Sequence, residues 1–307
     1  MNSEIFYQNQ SVRIIFFYDS VVLVPIGILL NLIQIQVFNS KDFKKLKFGF
    51  LMKNLVILES ISLVWCIIVF KYLTSIGINI SSYSEFTCVT FLYVVRIIQK
   101  MPLFYQIFVS FISYLSVAYP SKCISFCNKK NLSLCLIGII IFNLIINIPN
   151  LFRNIELVNN TKICIASDQL DMISSIDFSL FRFLLPFILF IIINSLTLKE
   201  LIKSKRNSNQ IGSFRKEKRF AFILIILALF FCLFNLPLFC VVIVQIIYQY
   251  FSYSSSNQLD NINFLMDCSR ALAWCYYGSG FFINIICNSK FRKNFIKIIS
   301  KINFKIF

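Results

Sequence analysis

Residues 220–247 read Phe-Ala-Phe-Ile-Leu-Ile-Ile-Leu-Ala-Leu-Phe-Phe-Cys-Leu-Phe-Asn-Leu-Pro-Leu-Phe-Cys-Val-Val-Ile-Val-Gln-Ile-Ile, without one charged side chain. About 20 apolar residues, rising 1.5 Å each in a helix, cross a ~30 Å hydrocarbon core, so this stretch is long enough to span a bilayer. Lipid offers no partner to backbone N–H and C=O groups, and a helix satisfies them within the segment. Six more apolar segments lie around it. Five precede it, at Ile14–Phe38, Phe48–Phe70, Cys88–Val117, Leu132–Ile148 and Phe178–Leu198, and Phe264–Cys287 follows. The third is less apolar and carries Arg96, Gln99, Lys100 and Gln106, while the fourth stops near Pro149. In the tail, Lys290–Phe307, basic residues alternate with Phe291, Phe295, Ile298, Ile299 and Ile302, the stripe of an interfacial amphipathic helix. The predicted fold is an all-α membrane protein, a seven-transmembrane helix bundle with a short amphipathic C-terminal helix. Residues 1–13 precede the bundle, 14–288 form it, and 289–307 are the final helix and tail.

Composition agrees. The 307 residues are 58% hydrophobic and only 14% charged, where soluble domains have roughly 45–50% apolar and about 25% charged residues. Seven Gly and six Pro argue against a turn-rich β-barrel, collagen or disorder. The absence of His removes imidazole bases, Ser-His triads and His metal sites, so no catalytic residue, metal site or cofactor is expected. No cleavable signal peptide is expected either, because the first apolar run is too long for an h-region and its upstream flank is polar.

The net charge of +17 would suggest nucleic acid in a soluble protein; here its distribution decides. Most of the 30 Lys and Arg fall in the connections between segments one and two, three and four, five and six, and in the tail. The opposite connections hold Glu85, Glu156, Asp168, Asp171, Asp177, Asp260 and Asp267 against Arg153 and Lys162. The positive-inside rule then places the tail in the cytoplasm and the N-terminus outside, as in a multi-pass plasma-membrane protein facing lipid, not nucleic acid. The sequons at Asn9, Asn79 and Asn159 fall at or near outside segments, with Asn9 and Asn159 the candidate glycosylation sites; the one at Asn131 falls inside.

The run Phe111-Ile112-Ser113-Tyr114-Leu115-Ser116-Val117-Ala118-Tyr119-Pro120 resembles the end of the third helix in rhodopsin-like (class A) G-protein-coupled receptors, where an Asp-Arg-Tyr segment runs on toward Tyr-Pro. Further likenesses are Asn31 in segment one, Asn54-Leu55 followed by Glu59 in segment two, Pro186 in segment five, and Phe231 with Phe234-Asn235-Leu236-Pro237 in segment six. Phe291-Arg292-Lys293-Asn294-Phe295 looks like the start of the family's eighth helix. The likeness covers nearly the whole chain, and its relaxed signatures are similar to divergent invertebrate chemosensory and peptide-receptor-like members. Departures are equally definite. Ile112-Ser113 stands for Asp-Arg, Asn235 for the helix-six Trp, and Gly280-Phe281-Phe282-Ile283-Asn284 for Asn-Pro-x-x-Tyr.

The resemblance implies a disulfide from Cys88 to Cys164, a ligand cavity lined by Arg96, Lys100, Arg182 and Arg270, and an ion or polar network of Asn31, Glu59 and Asn284, with Gly280 beside it. It also implies a switch formed by Phe231, Asn235 and the Pro237 kink, together with Ser113 and Tyr114 at the inner end of segment three. A charge in mid-helix costs roughly 2.5–3.5 kcal/mol against lipid, so Arg96 and Lys100, one turn apart, are expected to face inward. The four bases either form a cationic pocket for an anionic or carboxylate-bearing ligand, or pair structurally with Asp19, Asp177, Asp260 or Asp267, or snorkel outward. Glu59 is either part of an ion site or a single structural carboxyl. Cys123 and Cys127 make a poor zinc pattern without His; Cys287 is either palmitoylated or a plain thiol. The expected function is a cell-surface receptor binding an extracellular small molecule or peptide and signalling through a heterotrimeric G protein. The alternatives are a transporter or channel-like protein, and a receptor-shaped protein that has lost coupling; an enzyme is not expected.

Overall fold

The computed structural model describes residues 19–44, 46–65, 73, 78, 80–158, 161–165, 167–206, 214–251 and 256–306. Residues 1–13, the sequon residues Asn9, Asn79 and Asn159, the start of the first apolar segment and the end of the second lie outside them. Among the described residues, seven helical stretches make the bundle. The first is a π turn, Asp19–Leu23, continued by Val24–Phe38; the second is Lys47–Leu63 and the third Glu85–Ala118. The fourth is Lys129–Ile146. The fifth runs Asp168–Ser179, through a π turn at Leu180–Leu184, into Leu185–Arg206. The sixth is Phe214–Phe251, the seventh Ser256–Cys287, and Ser289–Ile306 follows. Several extend past the apolar segments read from the sequence, because hydropathy marks only the part of a helix that sits in hydrocarbon. Four stretches, Val21–Phe38, Glu85–Ala118, Met172–Lys203 and Lys218–Tyr248, are each long and apolar enough to cross a membrane.

Local chemistry sets the ends and bends. Ser84 caps the third helix in a reciprocal box: its Oγ accepts from the Thr87 N–H at 3.2 Å while Thr87 Oγ1 accepts from the Ser84 N–H at 2.9 Å. The Asn128 side chain caps the fourth by accepting from the Asn131 N–H at 2.8 Å. Pro25 and Pro186 each follow a π turn, where a missing N–H lets the hydrogen-bond ladder shift by one residue. Pro102 and Pro237 lie inside the third and sixth helices.

Burial is inverted relative to a water-soluble bundle. Asn31, Gln34, Lys100 and Asn284 are fully buried, while Leu229, Leu233 and Ile286 are more than 60% exposed. That arrangement suits a protein whose solvent is lipid. Between the fourth and fifth helices, strands β1 (Asn154–Val158) and β2 (Thr161–Ile165) form an antiparallel hairpin, with Ile155 opposite Cys164. The Cys88–Cys164 disulfide ties this hairpin to the start of the third helix, as the resemblance implied.

At the opposite, basic end, the short helix Lys41–Lys44 clasps the last helix. Lys290 Nζ donates to the Asp42 carbonyl at 3.0 Å and Asn294 Nδ2 to the Asp42 carboxylate at 3.2 Å. Phe43, fully buried, packs against Phe38 and Phe220, and Phe38 against Phe291. Phe220 in turn stacks on Phe48 at 5.0 Å, which pins the basic end of the sixth helix against the second. Beside it, Arg219 Nη1 donates to Ser289 Oγ at 2.7 Å.

Candidate functional site

The four bases singled out in the sequence gather toward the hairpin end of the bundle, but not as equals. Lys100 is fully buried and its Nζ meets Asp177 Oδ2 at 2.5 Å. Arg270 pairs with Asp267, one turn earlier on the seventh helix, at 2.8 Å. These two pairings are the structural alternative the sequence left open, realised with Asp177 and Asp267; the side chains of Asp19 and Asp260 are outside the described set.

Arg96 and Arg182 are placed differently. Both guanidinium groups lie over the ring of Phe178, at 4.4 and 5.2 Å from its centre. The ring supplies the electrostatic attraction of a cation–π contact without neutralising either charge. The π turn at Leu180–Leu184 turns Arg182 inward, where only 4% of it is exposed, and its Nε and Nη1 have no hydrogen-bond partner. Arg153, Arg182 and Arg270 all act electrostatically on Arg96, opposed there by Asp177. In the sequence Arg153 stands out only as an outside charge. It sits just before the hairpin and donates to Ser174 Oγ at 3.3 Å, and Ser174 donates to Asn150 Oδ1 at 3.0 Å.

A second polar cluster lies deeper. Gln34 Nε2 donates to Asn31 Oδ1 at 3.1 Å, and Asn284 Nδ2 donates to Gln34 Oε1 at 3.3 Å and to the Gly280 carbonyl at 2.8 Å. Asn31 and Asn284 are thus joined, but through Gln34, a residue the sequence reading passed over. Its position one turn after Asn31, on the same helix face, was the available signal. Glu59, 4% exposed, is not joined to this chain by any hydrogen bond among the described residues. Between the two clusters, Tyr276 donates to Gln106 Oε1 at 2.5 Å and sets its ring against Phe231 at 5.6 Å.

Phe231 is fully buried among Phe187, Phe190 and Tyr276, so one ring touches the fifth, sixth and seventh helices. Asn235, one turn on, donates to the Phe231 carbonyl at 3.0 Å, two residues before Pro237. At the basic end of the third helix Ser113 is 1% exposed with its Oγ unpartnered, and Tyr114 packs edge-on to Tyr119. Cys123 and Cys127 are both buried with their sulfurs 2.9 Å apart, and no metal-ligating cluster occurs among the described residues.

Seven packed helices, a lipid-facing apolar belt, a buried polar interior and a hairpin stapled to the third helix define a polytopic membrane receptor fold. The chain matches the family model described as 7 transmembrane receptor (rhodopsin family) over residues 31–277, and it belongs to that family of multi-pass, non-enzymatic receptors. A comparison with curated proteins finds no match.

Proposed function

We propose that the protein is a cell-surface receptor that binds an extracellular anionic ligand at the hairpin end and signals through a heterotrimeric G protein at the basic end. The observation that carries the ligand class is Arg182, a guanidinium 4% exposed with two nitrogens lacking partners. A buried charge left in that state is costly, and an anionic group arriving from outside would relieve it. Arg96, Lys100, Arg182 and Arg270 are the proposed ligand-side residues, with Phe231, Asn235 and Pro237 the proposed route to the basic end. The orientation, with the N-terminus and hairpin outside, rests on the charge asymmetry of the connections.

The test is ligand-dependent guanine-nucleotide exchange in membranes that carry the full chain and a panel of G proteins. Exchange that requires both an anionic ligand and Arg182 is the expected result. Ligand binding without exchange by any G protein would favour the uncoupled reading, which the neutral, buried Ser113 at the basic end of the third helix supports. Solute flux in proteoliposomes would favour a transporter and end the receptor proposal.

A further inference from the structure

We infer that the ligand of this site carries two negative charges held close together, a dicarboxylate or a phosphoryl or sulfuryl dianion, with Arg96 and Arg182 as its two contacts. This rests on the reading of the cationic cluster as the ligand site. Charge bookkeeping within the cluster leads to it. Lys100 and Arg270 are each closed by a carboxylate, Asp177 at 2.5 Å and Asp267 at 2.8 Å. Arg96 and Arg182 form no ion pair among the described residues, and the group they share is the uncharged ring of Phe178. Of these four bases, two guanidinium charges are therefore left over; Arg153, which also acts on Arg96, is held apart by its hydrogen bond to Ser174. Their distances of 4.4 and 5.2 Å from one ring centre put the guanidinium groups of Arg96 and Arg182 no more than 9.6 Å apart, a span that one small dianion covers.

A monoanion would neutralise one charge and leave the other uncompensated; a dianion neutralises both. Guanidinium groups suit this task because their planar N–H forks match carboxylate and phosphoryl oxygens. Asp177 bears on the choice as well. It acts on Arg96 as well as Lys100, so a weak monoanion competes with a carboxylate already fixed in the wall, whereas a dianion brings a second charge to the contest. Phe178 stands next to Asp177 on the fifth helix, so the ring that seats both guanidinium groups is fixed by the same turn that closes Lys100.

The experiment uses the full chain, purified in detergent, and reads its thermal-unfolding midpoint against added succinate, inorganic phosphate, sulfate, acetate and chloride at matched ionic strength. A ligand that binds only the folded state raises the midpoint in proportion to its occupancy. The expected result is a dose-dependent rise with at least one dianion, at concentrations at least tenfold below any rise with acetate or chloride. A larger response to succinate identifies two carboxylates, and a larger response to phosphate or sulfate identifies a single tetrahedral group; either supports the inference when R182Q weakens it, since the general stabilisation by excluded salts does not depend on Arg182.

R96Q and R182Q should each shift the dianion response at least tenfold to higher concentration. R182Q removes a buried, unpartnered charge, so its unliganded midpoint should equal or exceed that of the wild type, which shows that the variant folds. Equal responses to acetate and succinate, no response to any dianion, or an unchanged response in R182Q would overturn the inference. Nucleotide exchange driven by a neutral ligand would sink this inference while leaving the receptor reading intact. A dianion response without exchange would do the reverse.

Discussion

Ser62 of the second helix donates its hydroxyl to the Ile98 carbonyl of the third at 2.8 Å. That carbonyl lies four residues before Pro102, which has no N–H to give it. In hydrocarbon no water can take the vacant place, so a side chain from a neighbouring helix does. Ser62→Ala should lower stability by about 1–3 kcal/mol, the cost of an unsatisfied buried acceptor. In a Pro102→Ala background, where the residue-102 N–H is restored, the same change should cost far less. Unfolding midpoints of the four proteins measure this coupling, and equal costs in both backgrounds would refute it.

Lys100 and Asp177 should behave as a buried pair. Removing either partner alone strands a charge and should cost about 3–5 kcal/mol, whereas replacing both with apolar residues of similar size should be near neutral. Detergent-extracted K100M, D177L and the double variant would be compared by midpoint. A double variant as unstable as the worse single one would show that the pair is not the unit.

Gly49 opens the second helix against the carbonyl of Phe43, and a Cβ there would stand 2.2 Å from that oxygen. Backbone, not a flexible side chain, blocks the space. Gly49→Ala should therefore push the Lys41–Lys44 turn away and break its Asp42 contacts to the last helix. Fluorescence from a label on the last helix should report the displacement, together with a lowered midpoint. A variant with native mobility and stability would contradict the packing described.

Gln34 and Asn284 should be energetically coupled. Gln34→Leu and Asn284→Leu each leave polar atoms of the chain without partners, while the double change removes both sides of one hydrogen bond. A double-mutant cycle should return an interaction of about 0.5–3 kcal/mol. Strict additivity would mean that the 3.3 Å contact carries no energy.

Cys88→Ser and Cys164→Ser should each lower stability by about 2–4 kcal/mol, and the double variant by no more than one of them. Peptide mass spectrometry without reduction should link the two cysteines. An unlinked pair in folded protein would refute the staple.

The bundle was legible because its signal is collective. No single residue in 220–247 matters much, but the whole run admits one conformation in lipid. The Cys88–Cys164 bond was legible for a different reason, since the resemblance at the end of segment three and the order of the segments imply it. The cationic site was only half legible. Sequence shows that Arg96 and Lys100 share a face and that Asp267 lies one turn before Arg270, yet the closing of Lys100 by Asp177 depends on how helices three and five rotate, and that is set by packing. Phe178 could not be picked out among 36 phenylalanines. The hairpin is not legible because two five-residue strands leave little pattern, and its place is fixed by the covalent bond from Cys164 to the third helix. Ser62 and Ile98 were invisible, since a proline announces the vacant carbonyl but not the neighbour that fills it.

The stacking of Phe220 on Phe48 has a consequence for the ionic environment. A tether made of opposite charges at an aqueous surface slackens as electrolyte is added, because counter-ions screen it over a few ångströms. Two flat rings in contact are indifferent to electrolyte, and apolar association strengthens in the presence of excluded salts such as sulfate. The sixth helix is therefore held at that end by a clasp that concentrated salt tightens.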